Sequence, residues 1–318
     1  CGCSGARKRR RTTREGRQVL RNFEEVIEQT RKLGGREVAV AAAGDREVLE
    51  AVRLAGEKGV ARGLLVGDEG TIRPLAEELG LGDLRVVHEP DPAAAAVRAA
   101  ELVHRGEAQV LLKGLVNSSD FMRGVLHPEK GLRTGRLLSH LAVFQIPGTP
   151  KLAFHTDGGI NIAPDLEAKK GILANALAAL AALGYDAPKV AAITANEQVN
   201  PKMPATVDAA GLVEAWKAGA FEVPCVVEGP IALDVALSPE AARHKGIESA
   251  VSGDVDLFLM PNIEAGNVAG KSLLHYAGAQ MAGLVLGAAA PVVLTSRAET
   301  AQGKLVSIAL ACLAAAKG

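Results

Sequence analysis

The sequence predicts an α/β protein built on parallel sheets that are covered by helices on both faces. Two observations carry this expectation. Short, almost wholly apolar runs recur along the chain, among them EVAVAAA (37–43), AQVLLKG (108–114) and VDLFLMP (255–261). Stretches with helical spacing separate them. Strands without polar alternation are buried on both faces, and a helix between successive strands makes each connection a parallel crossover. No short internal repeat or low-complexity linker breaks the pattern.

The elements follow in order. RQVLRNFEEVIEQTRKLG (17–34) sets Val19, Leu20, Phe23, Val26 and Ile27 on one helical face, and a buried strand follows at 37–43. DREVLEAVRLAGEKG (45–59) reads as a helix, RGLLVG (62–67) as a strand, TIRPLAEELG (71–80) as a helix and LRVVHE (84–89) as a strand. The helix at 91–106 carries Asp91 as a candidate N-cap and Pro92 at its first position. The strand at 108–114 follows. Periodicity is weakest at 127–162, which is rich in Gly, Pro and Thr, so a domain boundary is expected there. Alternation resumes with helices at 163–184 and 205–219, strands at 189–194 and 224–229, and a short helix at 238–246. The strand at 255–261, a helix at 266–280, strands at 282–288 and 291–296 and a closing helix at 297–317 complete the chain. In such folds ligands bind beyond the carboxyl ends of the strands.

Bulk composition narrows the function. Lys plus Arg and Asp plus Glu each number 36, so no net charge draws the chain to nucleic acid or an anionic membrane. Aromatics make up 3%, which leaves few platforms for stacking bases. No apolar run reaches the roughly 18 residues of a membrane span. Cys1, Cys3, Cys225 and Cys312 form no disulfide framework, and a reduced, cytoplasmic setting is expected. Residues 1–16, CGCSGARKRRRTTREG, are basic without an apolar core behind them and are expected to be a disordered, solvated tail.

The stretch NIEAGNVAGKSLLHY (262–276) tests for a nucleotide-binding P-loop, because Gly270-Lys271-Ser272 follows a strand. That motif needs a glycine five residues before the Gly-Lys pair, where Ala265 stands, and Gly266 comes one residue too late. A cleft wall with Glu264, Asn267 and Lys271 facing a polar ligand fits better. No metal-ligating cluster, no G-x-G-x-x-G after a strand and no G-x-S-x-G elbow appears.

Two other strand ends carry more chemistry. In LLKGLVNSSDFMRGVL (111–126) the strand ends at Lys113, and Ser118 or Ser119 can cap the next helix with Asp120 in its first turn. Backbone amides at a helix start make a natural anion site. Arg123, Arg133 and Arg136 lie close in sequence to that turn and favour a phosphate pocket, whereas His140 is read as structural. In VVLTSRAETAQGK (292–304), Ser296 and Glu299 form a capping box. Arg297 then occupies the first helical position, against the helix dipole, and is read as aimed at an anion. DGGINIAPD (157–165) and NPKMPATVDAA (200–210) are loops in which Asp165 and Thr206 are candidate caps.

KGLVNSSDFMRGVL, GLRTGRLLSHLAVFQIP, DGGINIAPDLEAK, NPKMPATVDAA, EGPIALDVALSPEAARHKGI, DLFLMPNIEAGNVAGKSL and PVVLTSRAET together resemble the phosphate acetyl/butyryltransferases, the butyryl branch more closely. The resemblance runs from about residue 20 to the end. It implies two parallel-sheet α/β domains with an interdomain cleft, similar to the isocitrate/isopropylmalate dehydrogenase architecture. Residues 1–147 and 287–318 would form the first domain and 148–286 the second. It implies the reversible reaction of a short-chain acyl-CoA, butyryl-CoA or alternatively acetyl-CoA, with phosphate to give acyl phosphate and CoA. No metal and no permanently bound cofactor is implied, coenzyme A being substrate or product. A homodimer or larger homo-oligomer is implied, with neither nucleic acid nor membrane as partner. By the same resemblance, Ser296 and Arg297 would stand beside the thioester and Arg123 would bind phosphate with Ser118 and Ser119. Asn267 and Lys271 would belong to the cleft, and Lys113 and Arg133 join them as binding candidates. Acetyltransferase members carry an aspartate base where this chain has Gly303, so Glu299 becomes the candidate base. A dehydrogenase of the same architecture would need a carboxylate cluster that the sequence lacks, and a non-catalytic CoA-binding protein would release no thiol.

Overall fold

The computed structural model describes residues 19–81, 84–294 and 300–316. The elements run α1 (Phe23–Arg31), β1 (Arg36–Ala41), α2 (Arg46–Glu57), β2 (Ala61–Gly67), α3 (Glu69–Glu78), β3 (Arg85–His88), α4 (Pro92–His104) and β4 (Val110–Lys113). Then come α5 (Ser118–Val125), β5 (Ser139–Gln145), β6 (Ala153–Thr156), α6 (Leu166–Ala182), β7 (Lys189–Thr194), α7 (Pro204–Lys217) and β8 (Val226–Ala232). The chain closes with α8 (Leu233–Leu237), α9 (Pro239–His244), β9 (Leu257–Leu259), α10 (Ile263–Tyr276), β10 (Gln280–Leu286), β11 (Val292–Val293) and α11 (Ala301–Ala315).

Eleven strands form one sheet in the order β3-β2-β1-β4-β11-β10-β5-β6-β9-β7-β8. Both flanks are parallel, as apolar strands between helices predict. The middle is antiparallel: β10 runs against β11 and β5, and β5 against β6. β5 and β6 arise from the region of weakest periodicity. Their run SHLAVFQ alternates His140, Ala142 and Phe144 with Leu141 and Val143, and both sets are buried or half-buried, so neither a polar face nor a helical stripe marks it. Residue 147 falls in the hairpin between β5 and β6, and β5 is hydrogen-bonded to strands on both sides.

Burial explains the layers. Alternate residues of β1 point to opposite faces, as strand geometry requires. Val38 and Val40 belong to the apolar cluster that also holds residues of α1, α2, α6 and α11, whereas Ala39 and Ala41 belong to the one that holds residues of α4 and α5. The last helix returns to the start of the chain, where the Thr30 hydroxyl donates to the Ala309 carbonyl at 3.0 Å in the core. Caps fix the helix starts through side-chain acceptors at Asn22, Asp45, Asp91, Asp165 and Asn262. Thr206 does not cap α7. Its hydroxyl instead accepts from the Asn200 amide and closes the 200–206 turn.

Asp256 ties β9 to both neighbours. Fully buried, it accepts from the Lys151 ammonium at 2.6 Å and from the Lys189 amide at 2.7 Å. Asp256→Ala leaves the Lys189 amide without this acceptor and reduces Lys151 to its remaining pair with Asp254 at 2.7 Å, so it is expected to lower unfolding free energy by about 1–3 kcal/mol, the cost of an unsatisfied buried group. Urea unfolding checks this, and a loss under ~1 kcal/mol, the value of an exposed pair, would contradict it.

Candidate active site

A cavity of about 620 Å³ opens beside the carboxyl end of β4 and runs beneath α10. Its polar wall has three sources. Lys113 is the last residue of β4 and only 5% exposed. Asn117 and Ser118 stand at the start of α5. Asn267 and Lys271, four apart on α10, point from one helical face into the same space. Neither side chain has a hydrogen-bond partner among the described residues.

Backbone contact holds α10 over the cavity. A Cβ on Gly266 would lie 2.6 Å from the Gly158 Cα and 2.9 Å from the Asp157 carbonyl oxygen. Only paired glycines allow that approach. One turn later, a Cβ on Gly270 would lie 3.1 Å from the Phe144 ring. Asp157, 2% exposed, fixes the loop beneath. One carboxylate oxygen accepts from the Gly159 and Ile160 amides at 2.8 and 2.9 Å, the other from the His140 amide at 2.9 Å and the Asn161 side chain at 2.7 Å.

Two histidines complete the sheet side of the cavity. His140 lies between Gly159 and Gly283, and His155 packs its ring between Phe144 and Phe258 at centroid distances of 4.9 Å. Nδ1 of each ring is buried without a hydrogen-bond partner among the described residues. Burial pushes the His155 pKa down from 6.5 to about 4. Burial also lowers that of His140, against the raising influence of Asp157. Both rings are therefore neutral near pH 7. The two described cysteines are ruled out as thiolate nucleophiles, since burial pushes Cys225 up to about 11 and Cys312 up to about 12.

The chain matches a known family over most of its length. Residues 83–312 fit the family described as "Phosphate acetyl/butaryl transferase". The chain belongs to this family. It is 46% identical to a phosphate butyryltransferase of Clostridium acetobutylicum over 93% of this chain and 99% of that one. It is 42% identical to a phosphate acetyltransferase of Rhizobium meliloti over 83% of this chain and 84% of the relative. Its fold superimposes with a TM-score of 0.78 on a branched-chain phosphotransacylase from Enterococcus faecalis V583, at 32% identity, covering 88% of this chain and 99% of that structure.

Within this transferase fold the residues expected from sequence divide. Lys113, Ser118, Asn267 and Lys271 line one cavity. Ser119 does not, because its hydroxyl donates to the Asn117 side chain at 3.0 Å. The cap of α5 is Asn117, which accepts from the Asp120 amide at 2.8 Å, so neither Ser118 nor Ser119 fills that role. Arg123 pairs with Asp120, three residues back, and its side chain is 73% exposed. Arg133 is exposed away from the cavity lining, and Arg136 lines a different depression. The three arginines do not converge on the cavity, because α5 and the following turn carry them to separate surfaces. Ser296, Arg297 and Glu299 lie outside the described residues. Leu294, the last described residue before them, lines the cavity. Thr300 caps α11 by accepting from the Gly303 amide. Glu264 is exposed outside the cavity, and Gly270-Lys271-Ser272 sits in mid-helix, where the amides are already used and cannot cradle a phosphate.

His155 sets a pH dependence. Its folded pKa of about 4 lies below the unfolded value of 6.5, so between them the unfolded chain binds the extra proton. Stability from this residue is complete above about pH 6.5 and is lost as pH falls toward about 4. Between about pH 7 and about pH 5 the loss should be ~2 kcal/mol, and His155→Leu should shrink that pH-dependent loss by the same amount. Urea unfolding at the two pH values reads it. Equal pH dependence in the variant and the parent would contradict it.

Proposed function

We propose that this protein transfers a short-chain acyl group between coenzyme A and inorganic phosphate, with butyryl-CoA favoured over acetyl-CoA. The observation that carries the reading is the single cavity shared by Lys113, Ser118, Asn267 and Lys271, in a chain that aligns with phosphate butyryltransferases along almost its whole length. A doubly charged phosphate needs cations and open amides, and the start of α5 has both nearby.

In the proposed reaction a phosphate oxygen attacks the thioester carbonyl carbon. The new C–O bond forms, the C–S bond breaks, and CoA leaves as a thiolate that takes a proton from solvent. Lys271 and Lys113 balance the anionic partners, and Asn267 orients the thioester. Arg297, with Ser296 beside it, stabilises the oxyanion or the departing thiolate. A thiol of this type titrates near ~8.5, so a cationic field suffices to release it and Glu299 serves as base where one is needed. The amides of residues 118 and 119 orient phosphate. Arg123 lies outside the cavity lining and would have to leave its exposed pair with Asp120, worth at most about 1 kcal/mol, to reach phosphate. Holding both substrates in one hollow removes much of the entropic barrier.

The family resemblance also implies a homo-oligomer and two units, 1–147 with 287–318 and 148–286. An assembly has support in Tyr276 and Val268, which α10 leaves 91% and 64% exposed.

Free thiol should appear when phosphate is added to enzyme and butyryl-CoA without magnesium, and ATP should not be hydrolysed with magnesium present. Arg297→Ala should lower turnover about 100-fold, the scale of a lost oxyanion donor. Near-normal turnover in that variant would remove Arg297 from the mechanism, and absence of phosphate-dependent thiol release from any acyl-CoA would overturn the function.

A further inference from the structure

The cavity has a second end, walled mostly by hydrocarbon. β5 sends His140, Ala142 and Phe144 to the same face, at steps of about 6.6 Å along the strand. His140 marks the polar end, next to Gly159 and the loop beneath α10. Phe144 marks the other end, where it packs in one small apolar cluster with Ala142, Leu274 and Met281. Register explains the grouping: Met281 of β10 is paired with Phe144, and Ala142 lies between Gly283 of β10 and His155 of β6. Gly270 faces Phe144 from the helix. Along β5 the slot passes Ala142, flanked on β6 by the neutral His155 ring, before Phe144, Met281 and Leu274 close it. None of the residues at that end carries a charge.

A ligand that fits must have a charged reaction partner at one end and a short hydrocarbon at the other. We propose that Ala142, Gly270, Leu274, Met281 and Phe144 form the acyl subsite, with Ala142 setting its width and Leu274 with Met281 its depth. This rests on the acyltransferase reading above. The thioester carbonyl lies at the His140 level, and the chain extends past Ala142 toward Phe144. Aliphatic acyl groups of a few carbons fill the slot, and longer ones meet its floor.

The test compares kcat/KM for acetyl-, butyryl- and hexanoyl-CoA by phosphate-dependent thiol release in the full-length protein. Ala142→Leu fills the slot and should lower the butyryl-to-acetyl ratio by about 10-fold or more, the scale of one or two methylenes in a fitted pocket. Leu274→Ala deepens it and should raise the hexanoyl-to-butyryl ratio by a similar factor, about 10-fold. Ratios within one variant are insensitive to loss of folded protein, and Leu274→Ala on the half-buried helix serves if Ala142→Leu fails to fold. A shift of either ratio in the stated direction supports the subsite. Ratios that stay within about 3-fold of the parent in every folded variant overturn it while leaving the acyltransferase reading intact, since that shift is below the value of one methylene. A parent protein that releases thiol from none of the three overturns both.

Discussion

The backbone of Gly266 lies directly against that of Gly158, and the candidate site depends on this contact. It lets α10 settle onto the sheet close enough to roof a cavity. It also decides which face of α10 looks inward, and so brings Asn267 and Lys271 opposite Lys113 and the start of α5. Neither residue in the contact has a side chain to adjust, so the geometry is set by backbone alone.

Asp157 supplies the counterpart on the sheet side. Five donors on its two oxygens hold residues 157–161 in one shape, and the loop in turn holds His140. A buried carboxylate satisfied this fully is strained by any change of its partners. The neutral imidazoles of His140 and His155 extend the same logic into the cavity wall. They keep a polar neighbourhood beside the cations without adding charge, and the wall then passes into hydrocarbon at Phe144. Polarity thus changes along a single strand, in two-residue steps.

Much of this architecture is legible in the sequence, for physical reasons. Apolar strands between helices announce a parallel sheet, and strand ends such as Lys113 followed by a capped turn announce a site. The antiparallel centre is not legible, because β5 is covered on both faces and its Ala142 and His140 weaken any alternation signal. The cap of α5 is Asn117 rather than Ser118 or Ser119, since several polar residues in a row compete for that role. The arginine cluster looked convergent because sequence proximity cannot show that α5 turns Arg123 outward to Asp120. The i, i+4 glycines of α10 are visible as GNVAG, but their packing is not: Gly266 meets Gly158, 108 positions earlier in the chain, and Gly270 meets the Phe144 ring.

Gly266→Ala tests the central contact most directly. Alanine favours a helix by about 1 kcal/mol over glycine, so α10 itself should persist. The new Cβ would meet the Gly158 Cα at 2.6 Å and must push the helix away from the loop. Phosphate-dependent thiol release from butyryl-CoA should fall by about 100-fold in kcat/KM, the cost of misplacing a site by around 1 Å, while helix content by circular dichroism stays at the parent level. A variant that keeps parental kcat/KM would contradict the account, because the Gly158–Gly266 approach would then not position the site.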